Sequence, residues 1–269
     1  MIDAHCHLDS LRFDLDREDL LTRARNQGVS GFMVAGVDPA GWQRQRQLSA
    51  QHSDVYSFYG IHPWAAASWS VAEIEDAMTQ LSACVTLAVG ELGLDRSRRV
   101  PADSLPQQEL AFRSQLALAR ERDLPVVLHV VRAHGRVLEI LRSDGLPARG
   151  GMVHSFHAAE EVARDYEELG LHLSFSGSIT HPAAHRAARA LHQVSTERLL
   201  IETDCPDQLP QGLEGERNRP EHLTWVARCV ADVRGESLEQ VQAQTTRNAV
   251  QLFGLTVPLS LSEQEKDLL

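Results

Sequence analysis

The chain has 269 residues, 43% of them hydrophobic, and a formal charge of −11. That much apolar material builds one large core, and the length suits an α/β barrel of about 250 residues. The acidic balance argues against a broad basic groove for duplex DNA or RNA, no apolar run approaches the roughly 20 residues that span a bilayer, and the first twenty residues lack the basic start and apolar middle of a signal peptide.

The first strand is expected in "MIDAHCHL". Side chains alternate along a strand, so His5 and His7 point one way and Cys6 the other. A helix follows in "LDREDLLTRARNQG", with Leu15, Leu20 and Leu21 on one face and Gly28 as its stop. "VSGFMVAGV" (29–37) is the second strand run and "PAGWQRQRQLSAQH" the helix after it. The third and fourth runs are "VYSFYGIHP" (55–63) and "VTLAVGELGLD" (85–95). A helix over 105–122 leads to "LPVVLHVV" (124–131), and "HGRVLEILRSDG" is a helix ending at Gly145. "GGMVHSF" (150–156) is the sixth run, followed by a helix in "AAEEVARDYEELG" that stops at Gly170. "LHLSFSGSI" (171–179), a helix in "HPAAHRAARALHQV" and "RLLIETD" (198–204) complete eight strand-then-helix units, and helices near 221–233 and 237–252 close the chain. Near-continuous apolar strands suit a parallel sheet covered on both faces. The expectation is a single (β/α)8 TIM barrel domain over 1–269, with a polar tail from about 257, and a doubly wound open sheet as the competing architecture.

The four cysteines (Cys6, Cys84, Cys205, Cys229) are scattered with no CxxC pair, which suits a reduced, cytoplasmic protein. The only lysine is Lys266, in the tail "LSEQEKDLL". Schiff-base chemistry, a P-loop and a carboxylated-lysine metal bridge all need a lysine inside the fold.

The strands are apolar, yet most end on a residue able to bind metal or move a proton. His5 and His7 end the first, His62 the third, Glu91 the fourth; His129 lies in the fifth, His154 in the sixth and Asp204 at the end of the eighth. In an α/β barrel the carboxyl ends of the strands share one rim, and that rim hosts the active site. Six such groups (His5, His7, Glu91, His129, His154 and Asp204) are too many for one open tetrahedral site, and they match two ions sharing a bridging carboxylate. The ions expected from such ligands are zinc, manganese, iron, nickel or magnesium, and the reaction class is metal-assisted hydrolysis. With no lysine available, Glu91 is the bridge. His62, beside Pro63 and Trp64, reads as a substrate contact in a loop wall. His181 and His185 read as surface histidines at a helix start, and His52, His172, His192 and His222 as structural or solvated.

"DAHCHLD", "GIHPW", "VGELGLD", "LPVVLH", "GMVHSF", "LSFSGSIT", "LLIETDCP" and "NRP" resemble, in order, the signature segments of the TatD-type metal-dependent deoxyribonucleases of the amidohydrolase superfamily. The resemblance runs from Asp3 to "NAVQLFGL" (248–255). It implies a (β/α)8 barrel, a dinuclear site, and hydrolysis of phosphodiesters from the 3′ end of single-stranded DNA or RNA. By motif, His5, His7, Glu91 and Asp204 would hold one ion and Glu91, His129 and His154 the other, with Asp204 also orienting or deprotonating the attacking water. The chain departs from the family pattern after the fifth-strand histidine, where Val130-Val131 precede Arg132, and after the sixth, where Ser155-Phe156-His157-Ala158 stand. Arg132, Arg217 and Arg219 are candidate phosphate contacts, since a guanidinium grips two phosphate oxygens. The altered loops keep open a hydrolase of esters, lactones or amides with the same metals. A non-catalytic scaffold is disfavoured by six competent ligand positions. No sequence feature points to a protein partner.

Overall fold

Strands and helices alternate along residues 1–256, the part of the chain that the computed structural model describes; the polar tail expected from about 257 lies outside the described residues. The order is β1 (Ile2–Cys6), α1 (Arg17–Asn26), β2 (Gly31–Ala35), α2 (Pro39–Gln51), β3 (Val55–Phe58), α3 (Pro63–Ala66), α4 (Val71–Cys84), β4 (Val89–Asp95), α5 (Leu105–Arg122), β5 (Val126–Val131), α6 (His134–Asp144), β6 (Gly151–Val153), α7 (Glu160–Glu168), β7 (Leu171–Phe175), α8 (His185–Gln193), β8 (Leu199–Ile201), α9 (Leu223–Arg234) and α10 (Leu238–Phe253). Local chemistry sets the helix ends. Ser70 with Glu73, and Ser237 with Gln240, form capping boxes that start α4 and α10. Asp38 accepts from the Gly41 N–H ahead of Pro39 in α2.

The strands form two parallel sheets, β1-β2-β3 and β4-β5-β6-β7-β8, each in sequence order. Hydrogen bonds join the sheets at both junctions. Gly90 N–H donates to Tyr59 O at 2.9 Å and Glu91 N–H to Gly36 O at 3.0 Å; beyond β8, Asp204 N–H donates to His5 O at 2.9 Å and His7 N–H to Cys205 O at 2.8 Å. The β3–β4 junction needs glycine, because a Cβ on Gly60 would sit 2.3 Å from the Gly90 carbonyl carbon. Ile2, Ala4, Met33, Ala35, Phe58, Val127, Met152 and Leu200 form one apolar cluster, which Leu252 and Phe253 of α10 cap. The other faces of the strands, with Cys6, Leu92, Leu94, Leu128 and Val153 among them, pack against the surrounding helices in a larger core.

Three details differ from the sequence reading. Leu15 lies ahead of α1 and is fully exposed, because the helix starts at Arg17 and buries only Leu20, Leu21 and Ala24. The seventh run stops at Phe175; Ser176 turns the chain into a 3-10 segment, Gly177–Thr180, by accepting from Ser178 N–H. The next helix begins at His185 rather than at His181. The structure also supplies α3 and α4 between the third and fourth strands, beyond the helices that the sequence periodicity predicts. Among the described residues, no helix is long and apolar enough to cross a membrane.

Candidate metal centre

The inner faces of β5, β6 and β8 follow simple alternation. Val127, Met152 and Leu200 belong to the inner cluster, and His129, His154 and Glu202, two residues on from each, continue the same side. β1 and β4 need a further device. Each carries a register shift, between Asp3 and Cys6 and between Gly90 and Leu92. The irregularity turns His5 inward directly after the inner residue Ala4, and brings Glu91 inward three residues after Ala88. Bulges of this kind re-aim side chains beside active sites. Gly93 then allows β4 to lie against β5: a Cβ there would meet His129 O at 2.1 Å.

Glu91 is the centre of the arrangement, and its two oxygens face different partners. Oε2 lies 3.2 Å from His5 Nε2 and 3.4 Å from His7 Nε2, and Asp204 Oδ1 stands 3.6 and 3.5 Å from the same two nitrogens. Oε1 lies 2.9 Å from His154 Nε2, 3.0 Å from His129 Nδ1 and 3.4 Å from His62 Nε2. Three groupings of donor atoms fit around an ion: His5, His7 and Asp204; His5, Glu91 and His154; His62, Glu91 and His129. A fit to metal also shows in what these atoms leave undone. His5 Nδ1 and Nε2 and Glu91 Oε2 are buried with no hydrogen-bond partner, although Nε2 and Oε2 stand 3.2 Å apart. Buried polar atoms are rarely left so, and a cation between them satisfies the donors at once.

The electrostatics have the same origin. Burial opposes charge on Glu91, but His154, His5 and His62 outweigh it and hold the carboxyl well below its usual range. Asp204 is likewise lowered against burial, mainly by His7. Burial opposes a proton on His7, yet Asp204 and Glu91 hold its pKa up at about 10. His154 is raised by Glu91 and Glu202, and His129 by Asp95 and Glu91, both against burial. His62 goes the other way, to about 4, through burial and the nearby His129. Its Nδ1 accepts from Trp64 N–H at 3.0 Å, so the neutral ring carries its proton on Nε2 and presents a donor to Glu91 rather than a lone pair.

Sequence reasoning missed the residues that hold these side chains in place. His129 Nε2 donates to Asp95 Oδ2 at 3.1 Å, and Trp64 Nε1 donates to the same oxygen at 2.6 Å. Glu202 Oε1 lies 3.4 Å from His154 Nδ1 and accepts from Ser155 N–H at 2.7 Å. The Gln208 amide donates to Asp204 Oδ2, while its own oxygen accepts from the hydroxyls of Ser155 (2.8 Å) and Ser176 (2.5 Å). Asp204, Ser155 and Gln208 all take positive φ, at 55°, 44° and 53°. Asp3 accepts from Thr203 N–H at 2.9 Å and from its hydroxyl at 2.5 Å, and burial pushes its pKa up to about 8. The signal for two of them was present: Glu202 sits two residues before Asp204 in "IETD", and Asp95 four after Glu91 in "GELGLD". Gln208 lies in an irregular loop where no periodicity could have pointed to it.

These side chains open into a cavity of about 590 Å³ lined by His62, Trp64, Arg99, Val130, Val131 and Asp207 among others. Arg132 and Arg219 do not line it. Arg132 is exposed, and Arg219 lies 3.8 Å from Glu221. Arg217 is committed elsewhere, to Asp16 and to the ring of Phe13.

Parallel strands with a histidine–carboxylate cluster at their carboxyl ends suit a metal-dependent hydrolase. The family model for TatD related DNases matches residues 2–254, and the chain belongs to that family. Its relatives include the uncharacterized metal-dependent hydrolase YabD of Bacillus subtilis, 33% identical over 255 residues, 94% of this chain and 98% of the relative. The 3′-5′ ssDNA/RNA exonuclease TatD of Klebsiella pneumoniae is 35% identical over 263 residues, 96% and 99% of the two chains. The crystal structure of YjjV, a TatD homolog from Escherichia coli, superposes with a TM-score of 0.87 at 31% identity, over 95% of this chain and 98% of that one.

Proposed function

We propose that this enzyme is a dinuclear metal-dependent phosphodiesterase that removes nucleotides from the 3′ ends of single-stranded DNA or RNA. The observation that carries the reading is the division of ligands between the two oxygens of Glu91. His5, His7, Glu91 and Asp204 would hold one divalent ion, and Glu91, His129 and His154 would hold the other. Two further proposals go with it. The strands close as one (β/α)8 barrel domain, supported by the hydrogen bonds at both sheet junctions. The setting is reducing and cytoplasmic, supported by four free thiols, Cys6 and Cys205 of them buried. The TatD exonuclease relatives supply the substrate class.

When bound, the divalent ions polarise the phosphoryl group and acidify water at neutral pH. The protein's own groups do the rest. Asp204, held ionised, accepts the proton of the attacking water and returns it to the leaving oxygen. His62, neutral and protonated on Nε2, is a hydrogen-bond donor to a phosphoryl oxygen. Arg132 and Arg219, outside the cavity lining, are proposed to meet phosphates farther along the strand.

A second reading rests on Val130 and Val131, which present apolar surface to the cavity. It makes the substrate a carboxylic ester, lactone or amide. One experiment separates the two: hydrolysis of single-stranded DNA labelled at its 3′ or 5′ end by enzyme reconstituted with Mg²⁺, Mn²⁺ or Zn²⁺, beside Asp204→Asn. Metal-dependent loss of the 3′ label, reduced by roughly a thousandfold or more in the variant, is the expected result. Intact DNA with metal-loaded enzyme that hydrolyses small esters would favour the second reading.

A further inference from the structure

We propose that Trp64 and Arg99 form a nucleobase-and-phosphate subsite at the mouth of the cavity. The indole face stacks on a base near the scissile bond, and the guanidinium meets the adjoining phosphate. The inference rests on the nucleic-acid reading above and specifies what recognises the polymer.

Exposure of a large aromatic ring needs no explanation by itself. Trp225 is as exposed as Trp64, each at 39%. What sets Trp64 apart is that it is both fixed and placed. Its Nε1 donates to Asp95 Oδ2 at 2.6 Å, its ring meets His62 edge to face at a centroid distance of 4.6 Å, and its centroid lies 6.0 Å from that of His129. The ring is therefore held at a set distance from the metal ligands, and stacking on it costs little conformational entropy.

Arg99 lies over this ring, with its guanidinium carbon 5.2 Å from the centroid. The cavity lining contains two arginines among the described residues. Arg12 is occupied by Asp207 at 3.1 Å and by the Glu216 carbonyl. The Arg99 side chain pairs with no carboxylate among the described residues; its only hydrogen bond there is from the backbone N–H to Ser97 Oγ at 3.2 Å. The carboxylates Glu91, Asp95, Asp204, Asp9 and Asp207 around this cavity repel a polyanion. An unpaired cation at the mouth offsets that repulsion where the strand enters. A rigid indole beside an unpaired arginine is the pairing used for single strands, because every base has a π-face and every nucleotide a phosphate. It follows that recognition here is tolerant of sequence and intolerant of a missing base.

The test uses metal-loaded enzyme and single-stranded oligonucleotides carrying one abasic residue, walked inward from the 3′ end one position at a time. For the native enzyme, one position should lower kcat/KM by roughly 5- to 150-fold, the range for losing one stacked base. Trp64→Ala should lower kcat/KM on the intact strand by a similar factor and lose the penalty at that position. Trp64→Phe separates stacking from the contact to Asp95, and should keep the positional penalty. Arg99→Gln, an exposed change that spares the fold, should raise KM and flatten the salt dependence by about one phosphate contact. A full abasic penalty in Trp64→Ala, or an unchanged salt slope in Arg99→Gln, overturns the subsite while leaving the nuclease intact. Failure to cleave any oligonucleotide, with small esters still hydrolysed, removes both the subsite and the nuclease.

Discussion

On the Oε2 side of Glu91 stand His5, His7 and Asp204, brought together by β1 and the segment after β8; on the Oε1 side stand His62, His129 and His154, from the ends of three different strands. The first set is fixed through the main chain. Asp204 N–H bonds to His5 O, His7 N–H bonds to Cys205 O, and Gln208 alone holds the free oxygen of Asp204. The second set is fixed through side chains: Asp95 backs His129, and Glu202 stands behind His154. The difference shows two ways to preorganise a metal ligand. Neighbouring strands can lock the backbone that carries it, or a buried carboxylate can orient its ring and raise its basicity.

Glu91→Gln tests the part common to both sets and should have the largest effect. It removes the charge that both sides share, so metal content should fall on both sides and activity by roughly a thousandfold or more. Full retention of either ion, measured by elemental analysis, would break the idea of a shared bridge. Asp95→Asn and Glu202→Gln should act on one side only, weakening metal there by roughly 10- to 100-fold; a titration in which the other ion weakens equally would dissolve the contrast. Gln208→Leu should leave metal content near native and lower kcat by roughly tenfold, with KM little changed, because the Asp204 oxygen proposed to receive the proton loses its charge-assisted hydrogen bond. A rise in KM alone would assign Gln208 to the substrate instead.

The last prediction concerns protons. In the metal-free protein His7 holds its proton to about 10, against 6.5 for a free imidazole. The folded state therefore binds this proton more tightly than the unfolded chain does. Its contribution to stability is fully present below about pH 6.5 and is lost as pH rises through about 10. The Tm of metal-free protein should fall across that window. Metal-loaded protein, whose ligand imidazoles have already given up their protons, should not follow it. Parallel curves would show that His7 is not a ligand.

Much of the fold was legible because parallel strands are apolar throughout, and the runs around β2, β5 and β8 contain the strands that form. α5 and α6 match their expected spans, since Gly145 ends α6 and the α5 window is long and periodic. The misses have local causes. Leu15 looked like part of a helical stripe, yet the first helical turn lies beyond it. The segment after Phe175 kept an apolar residue, Ile179, but the Ser176 hydroxyl drew the chain into a turn. In the site, the histidines and carboxylates and their places near strand ends were readable from sequence. Arg132 and Arg219 stand beside motifs in the sequence, but loop geometry places both outside the cavity.

By itself, the sequence determined the period of the strand–helix units, the absence of a lysine from the described fold, and a supply of histidines and carboxylates at strand ends. Those are properties of composition and local order, which a chain carries whether or not it folds. Only the tertiary structure decided that Glu91 divides its oxygens between two sets of side chains, that register shifts in β1 and β4 turn His5 and Glu91 inward, and that Trp64, Asp95 and His129 form one hydrogen-bonded line. Each depends on strands distant in sequence meeting at a particular register, and a shift of one residue would have sent those side chains to the opposite face.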